Sequence, residues 1–139
     1  MLIPYSNEFG VVYPNKFFRL LGAEPIRIGT QELFEFLEAK NHEIWIYTTS
    51  YRSVVHLKKT LLAHGLKPRK FINEHINQKV LKKHNCRTSK TPALFGIDIH
   101  IDDSIGVNKE GEQHGFKTLI IQPDDIDWVN RIKDYLAMV

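Results

Sequence analysis

One stretch of the chain, residues 95–107, most constrains the fold that the sequence can adopt. Isoleucine alternates with polar residues from Ile97 to Ile101, and Asp102 and Asp103 follow directly before small residues and glycine. Alternation with a period of two predicts a β-strand, and the acidic pair predicts a tight turn at its end. Open α/β sheets bind ligands at the carboxyl ends of their strands, so this turn is a candidate site for a divalent cation or a proton. The alternative is that Asp102 and Asp103 only cap the turn and the next helix.

The polar side chains of the same stretch share one face of the predicted strand. Asp98, His100 and Asp102 are spaced at i, i+2 and i+4, which places their side chains on one side. This pattern has two interpretations. The three residues could form a metal-binding set, or the face could simply be less buried, or hydrogen-bonded to neighbouring groups.

Strand and helix signals alternate along the rest of the chain. Apolar runs bounded by turn residues predict four further strands, at 2–6, 44–47, 71–72 and 117–122. Between them, apolar residues at helical spacing predict a helix with Thr30 as its N-cap, a helix that Arg52 or Ser53 opens and Gly65 closes, and a final amphipathic helix that begins at Asp124 or Asp125. Residues 11–29 predict an irregular connector or small flap, and the segment after Asp103 predicts a short helix or turn. The run at 44–47 is continuous and apolar, as in a strand buried on both faces. This alternation predicts a three-layer α/β sandwich with a five-stranded, mainly parallel sheet.

Composition narrows the classes to which the chain can belong. A length of 139 residues fits one domain spanning 1–139, and 42% hydrophobic with 25% charged residues is typical of globular proteins. Cys86 is the single cysteine, so we expect neither an intramolecular disulfide nor a zinc knuckle. No apolar run reaches the ~20 residues that span a bilayer, so we expect a cytoplasmic protein without a membrane partner. The basic clusters at 67–70 and 79–83 carry no interleaved aromatic residues, and we expect no nucleic-acid partner.

Three polar segments stand at the ends of predicted strands. They are residues 7–10, residues 48–50 and the pair Asp102 and Asp103. In an open parallel sheet these ends lie at one edge, where a hydroxyl, a lysine and a carboxylate pair can converge on one ligand. A phosphoryl group suits that combination, because the hydroxyl and the ammonium hold its oxygens while the acids hold Mg²⁺.

These motifs resemble the haloacid dehalogenase-like (HAD) superfamily, whose members are mostly phosphatases with a Rossmann-like sheet. The stretch 44–50 is similar to the second motif of that family, which implies phosphate binding by Thr48 with Thr49 beside it. The stretch 99–104 is similar to the fourth motif, which implies Mg²⁺ binding by Asp102 and Asp103. For the lysine of the third motif we choose Lys90. Lys82 and Lys83 are the alternatives for this role. The resemblance also implies an open site, since the chain has no room for a cap domain.

The chain departs from the family at the first motif. Alignment places Asn7 where the family has its nucleophilic aspartate and Phe9 where it has the acid/base aspartate. An amide cannot attack phosphorus and a phenyl ring cannot transfer a proton, although Asn7 could still ligate Mg²⁺. We therefore expect a phosphate-binding or regulatory protein without turnover. The alternative is an active Mg²⁺-dependent phosphohydrolase that uses Glu8, Asp102 or a metal-bound water.

An open site is associated in the resembling family with large substrates. By this analogy, the partner is a phosphorylated ligand or macromolecule, or a subunit that closes the pocket.

Overall fold

Six α-helices and six short β-strands form from the residues that the computed structural model describes, which are 2–4, 8 and 10–139. They divide into two compact units, Met1–Asn73 and Glu74–Val139, called here the first and the second unit. The expectation of a single domain stays a prediction. The longest helix in the described part of the chain has 11 residues, and none is long and apolar enough to cross a membrane.

The first unit contains two small sheets and three helices. Their bounds are β1 Val11–Val12, α1 Lys16–Leu20, β2 Ile26–Arg27, α2 Thr30–Ala39, β3 Trp45–Tyr47, α3 Val54–Ala63 and β4 Lys70–Ile72. Strands β1 and β2 are antiparallel, whereas β3 and β4 are parallel, with Trp45 opposite Lys70 and Tyr47 opposite Ile72. The region between residues 11 and 29, predicted as an irregular connector, thus holds a short hairpin-like pair around α1.

Local signals explain where the helices of this unit begin and end. The Ser53 Oγ atom accepts the His56 N–H at 3.1 Å, so Ser53 is the N-cap of α3, one of the two predicted starts. Gly65, with φ of +76°, follows the end of α3 as predicted. The prediction of Thr30 as an N-cap was wrong. Gly29 occupies that position with φ of +88°, and the Thr30 hydroxyl instead donates to the Arg27 carbonyl at 2.7 Å.

Helices α2 and α3 bury their apolar faces in the core of the first unit. Phe34 is 2% exposed and Leu61 is fully buried. The remaining members of the buried cluster are Ile3, Ile26, Leu57 and Leu66. Burial of such side chains contributes roughly 1.5–3 kcal/mol each, which is why the short strands persist despite having few ladder hydrogen bonds.

The second unit carries one parallel strand pair and three helices. Their bounds are α4 Glu74–Lys83, a 3₁₀ helix Pro92–Phe95, β5 Ile99–Asp102, α5 Ile105–His114, β6 Lys117–Ile120 and α6 Trp128–Met138. In the β5–β6 ladder, His100 lies opposite Thr118 and Asp102 lies opposite Ile120. The segment after Asp103 was predicted as a short helix or turn, and it forms the ten-residue helix α5.

The prediction of a five-stranded, mainly parallel sheet was wrong. The described residues form three separate two-stranded sheets. Strand β3 is not buried on both faces, since Trp45 and Ile46 are half-buried. The Lys70 Nζ atom instead lies over the Trp45 ring, 4.1 Å from the ring centroid. Apolar periodicity predicts where a strand lies, but it does not specify which other strand pairs with it. The strand predicted at 2–6 falls partly outside the described residues.

Candidate functional site

Strand β5 turns its polar face inward. His100 is 5% exposed and Asp102 is 8% exposed, whereas Ile99 and Ile101 are half-buried. Asp98 is exposed and precedes the strand. Of the two interpretations of this face, a hydrogen-bonded set of polar groups is the one observed, and the expectation of lower burial was wrong for His100 and Asp102.

Lys90, His100 and Asp102 form a buried group, called here the Lys90 cluster. The Lys90 ammonium donates to the Asp102 Oδ2 atom, and their side chains are only 9% and 5% exposed. The His100 Nε2 atom lies 2.8 Å from the same oxygen and 3.5 Å from the Lys90 Nζ atom. The Ser104 N–H donates to Asp102 Oδ1 at 2.9 Å. Because a carboxylate only accepts hydrogen bonds, the His100 Nε2 atom carries a proton.

Burial and the neighbouring groups set the charges of Asp102 and His100. Burial alone would raise the pKa of Asp102, but the His100 hydrogen bond, the Lys90 charge and the Ser104 N–H together hold that pKa far below its ordinary value of 3.8. Burial is the main cause that lowers the pKa of His100 below 6.5. The Lys90 charge lowers this pKa further, whereas the hydrogen bond to Asp102 raises it. At neutral pH the carboxylate is therefore ionised and the imidazole is neutral.

Two residues that the sequence reasoning missed hold the loop that carries Lys90. Asn77, fully buried on α4, donates from Nδ2 to the Ser89 carbonyl at 2.8 Å. Glu110 on α5 accepts the Ser89 N–H and the Ser89 hydroxyl, both at 2.7 Å. A polar residue one helical turn before Leu81 on the buried face of α4 was a signal for Asn77. No spacing in the sequence links Glu110 to a residue 21 positions away.

The other lysine candidates lie apart from this cluster. Lys82 and Lys83 are exposed in the last turn of α4, whereas Lys90 is 7% exposed and contacts Asp102. Of the three lysines, Lys90 is therefore the one that contacts Asp102, and its phosphate-binding role stays a prediction.

The predicted phosphate-binding threonines follow β3 in the first unit. The Thr48 N–H donates to the Ile72 carbonyl at 2.9 Å, and the Thr48 hydroxyl accepts the Ser50 N–H at 3.1 Å. Thr49 is exposed. Because Thr48 belongs to the first unit and Asp102 to the second, the expectation that they converge on one ligand stays a prediction.

A second charged group, not singled out from the sequence, lies in the loop after β3. The Arg52 guanidinium forms a bidentate pair with the Glu24 carboxylate, at 2.8 and 2.9 Å, and the His56 Nε2 atom lies 2.7 Å from the same carboxylate. The Asn73 side chain also donates to the Arg52 carbonyl at 3.1 Å. This network anchors the loop that carries Thr48 and Ser50, which is a structural role.

Few of the described side chains near the Lys90 cluster are suited to bind a Mg²⁺ ion. Within 2–4, 8 and 10–139, no three or more His, Cys, Asp or Glu side chains come together to hold a metal ion. Both Asp102 oxygens already accept N–H groups, so a cation does not fit at Oδ2 without displacing Lys90. Asp103 is half-buried beside it and offers the oxygen ligands that Mg²⁺ prefers. Asn7 and Phe9 lie outside the described residues, so their predicted roles stay predictions.

Comparison of the chain with protein-family models, with curated proteins and with solved structures finds no match. The resemblance to the HAD superfamily therefore stays a prediction from the motifs. The function has to be inferred from the chemistry of the residues themselves.

Proposed function

We propose that the chain binds a phosphate group of a larger ligand at the Lys90 cluster, as a HAD-like protein without the aspartate nucleophile. The observation that carries the proposal is the buried ion pair between Lys90 and Asp102. A lysine ammonium has three N–H donors, so its bond to Asp102 is compatible with a further bond to a phosphate oxygen. The resemblance adds support, because the family pairs a lysine with an acidic motif at its phosphate site.

The charges around the cluster make phosphate binding depend on a divalent cation. Asp102 and Asp103 bring two negative charges and Lys90 brings one positive charge, which opposes a dianionic phosphate. A bound Mg²⁺ would supply the missing positive charge, and Asp103 is the residue to which we assign it. Asp102 serves instead as the acceptor that orients the Lys90 ammonium.

The absence of turnover in this proposal rests on the sequence of the first motif. Asn7 replaces the nucleophile and Phe9 replaces the acid/base residue in the alignment, so neither position can form or hydrolyse an acyl phosphate. The competing function is Mg²⁺-dependent hydrolysis that uses Glu8, Asp102 or a metal-bound water. It predicts catalysis rather than binding alone, so one set of measurements separates the two.

Titration calorimetry with inorganic phosphate tests the proposal, with and without MgCl₂, on the unmodified chain and on Lys90→Met. The matched control is Lys109→Met, which removes an exposed lysine from α5. We expect Mg²⁺-dependent binding that weakens by about 10-fold or more in Lys90→Met, since the variant loses a charge-assisted hydrogen bond, and is unchanged in the control.

Release of phosphate from an aryl phosphate separates the two functions. Turnover that requires Mg²⁺ and is lost in Asp103→Asn would establish the hydrolase and refute the non-catalytic proposal. No phosphate binding to the unmodified chain at millimolar concentration, or equal binding by Lys90→Met, would refute the site itself.

A further inference from the structure

Glu110 contacts the backbone from which Lys90 projects. The Glu110 Oε1 atom accepts the Ser89 N–H at 2.7 Å, and Oε2 accepts the Ser89 hydroxyl at 2.7 Å and the Lys90 N–H at 3.3 Å. On the other side, Asn77 donates to the Ser89 carbonyl at 2.8 Å. The peptide groups around Ser89 are thus fixed by α5 and by α4.

We propose that Glu110 is a positioning residue for Lys90. By holding the Ser89–Lys90 backbone, the Glu110 carboxylate keeps the Lys90 ammonium against Asp102, where a phosphate would meet it. The ligand in this inference rests on the proposed function, whereas the geometric role does not. Glu110 acts through the main chain, since it accepts the N–H groups of Ser89 and Lys90 together with the Ser89 hydroxyl.

The physical reason is the flexibility of a lysine side chain. Lysine loses up to about 2 kcal/mol of rotamer entropy when it is fixed, so a Lys90 on a mobile backbone would leave Asp102 easily. A carboxylate that accepts from N–H and O–H donors forms charge-assisted bonds, which are stronger than neutral ones. Glu110, together with Asn77 on the other helix, therefore orders the backbone at the base of the Lys90 side chain.

Site-resolved acetylation measures this role directly. The chain is treated with sulfosuccinimidyl acetate, and mass spectrometry follows the rate at Lys90 relative to Lys109. The variants are Glu110→Ala, which removes the acceptors, and Glu110→Gln, which keeps an acceptor oxygen without the charge. The matched control is Glu112→Ala, on the same helix, whose carboxylate accepts from the Asn108 side chain.

We expect Lys90 to be protected in the unmodified chain and its relative rate to rise about 10-fold in Glu110→Ala, as the buried ammonium is released. Glu110→Gln should give an intermediate rate, and Glu112→Ala should match the unmodified chain. In the presence of Mg²⁺, the affinity for inorganic phosphate should fall in the same order. Such graded rescue by glutamine would not follow from a merely structural defect.

Two results would overturn the proposal. The first is an unchanged Lys90 rate in Glu110→Ala. The second is a rise at all lysines together, which would indicate global unfolding rather than release of one side chain. If the rate rises at Lys90 alone while the unmodified chain binds no phosphate, the positioning role stands and the proposed function fails.

Discussion

The Lys90 ammonium donates to the Asp102 carboxylate although a loop and a 3₁₀ helix separate the two residues in the chain. Both side chains are at least nine-tenths buried. A charge in such a position is costly unless its partner is present, so neither residue can be removed without consequence for the other.

Replacing Lys90 with methionine should lower the free energy of unfolding by about 3 kcal/mol. The variant leaves the Asp102 carboxylate buried without its cation, although His100 and Ser104 still donate to it. Urea denaturation measures the change. Lys109→Met, on an exposed side chain, should stay within about 0.5 kcal/mol of the unmodified chain. Equal stability of the two variants would show that the ion pair makes no net contribution.

His100 should make stability depend on pH below about 6.5. Its pKa in the folded chain is lowered from 6.5, so below that value the unfolded chain binds more protons and the free energy of unfolding falls as the pH falls. The contribution of Asp102, whose pKa is also lowered, is present above about 3.8 and is lost at more acidic pH. In His100→Gln the decline between pH 6.5 and pH 5 should be smaller. Parallel curves for the two proteins over that range would contradict this assignment.

Two glycines of α5 should respond to alanine in opposite directions. A Cβ atom at Gly111 would lie 2.7 Å from the Phe116 carbonyl oxygen and 3.1 Å from Thr118 Oγ1, so Gly111→Ala should destabilise by about 1–3 kcal/mol. At Gly106 the nearest atom is Ser104 Oγ at 3.5 Å, an ordinary contact. Gly106→Ala should therefore stabilise by up to about 1 kcal/mol through helix propensity. Thermal or urea unfolding of both variants checks the contrast, and destabilisation of both would refute it.

Glu24→Gln should loosen the loop after β3. The change removes the charge that pairs with Arg52 and His56, and we expect a loss of about 1.5 kcal/mol in the free energy of unfolding. Burial opposes ionisation of Glu24, but its two partners lower its pKa below 4.5, so the contribution is present above that pH and is lost as the pH falls. Urea denaturation at pH 7 and at pH 4 should therefore show a smaller difference at pH 4. The exposed Glu35→Gln serves as control, and an equal effect there would contradict the role of the network.

Much of the local structure followed from short sequence signals. Ser53 caps α3 and Gly65 ends it because these residues satisfy or permit the backbone conformation within one helical turn. The strand at 44–47 and the strand at 117–122 were placed correctly to within two residues at each end. The prediction that the strands form one sheet was wrong. Ladder hydrogen bonds join segments far apart in the chain, and the apolar period of a single strand does not encode which strand pairs with it.

By itself, the sequence determined that an acidic pair stands at the end of β5 and that the polar residues of this strand share one face. The tertiary structure alone decided that this polar face is buried and that Lys90 reaches Asp102. It also decided that Glu110 and Asn77 hold the Lys90 loop. The physical reason is that burial and pairing of charges depend on which distant segments pack together, whereas periodicity and capping act within a few residues.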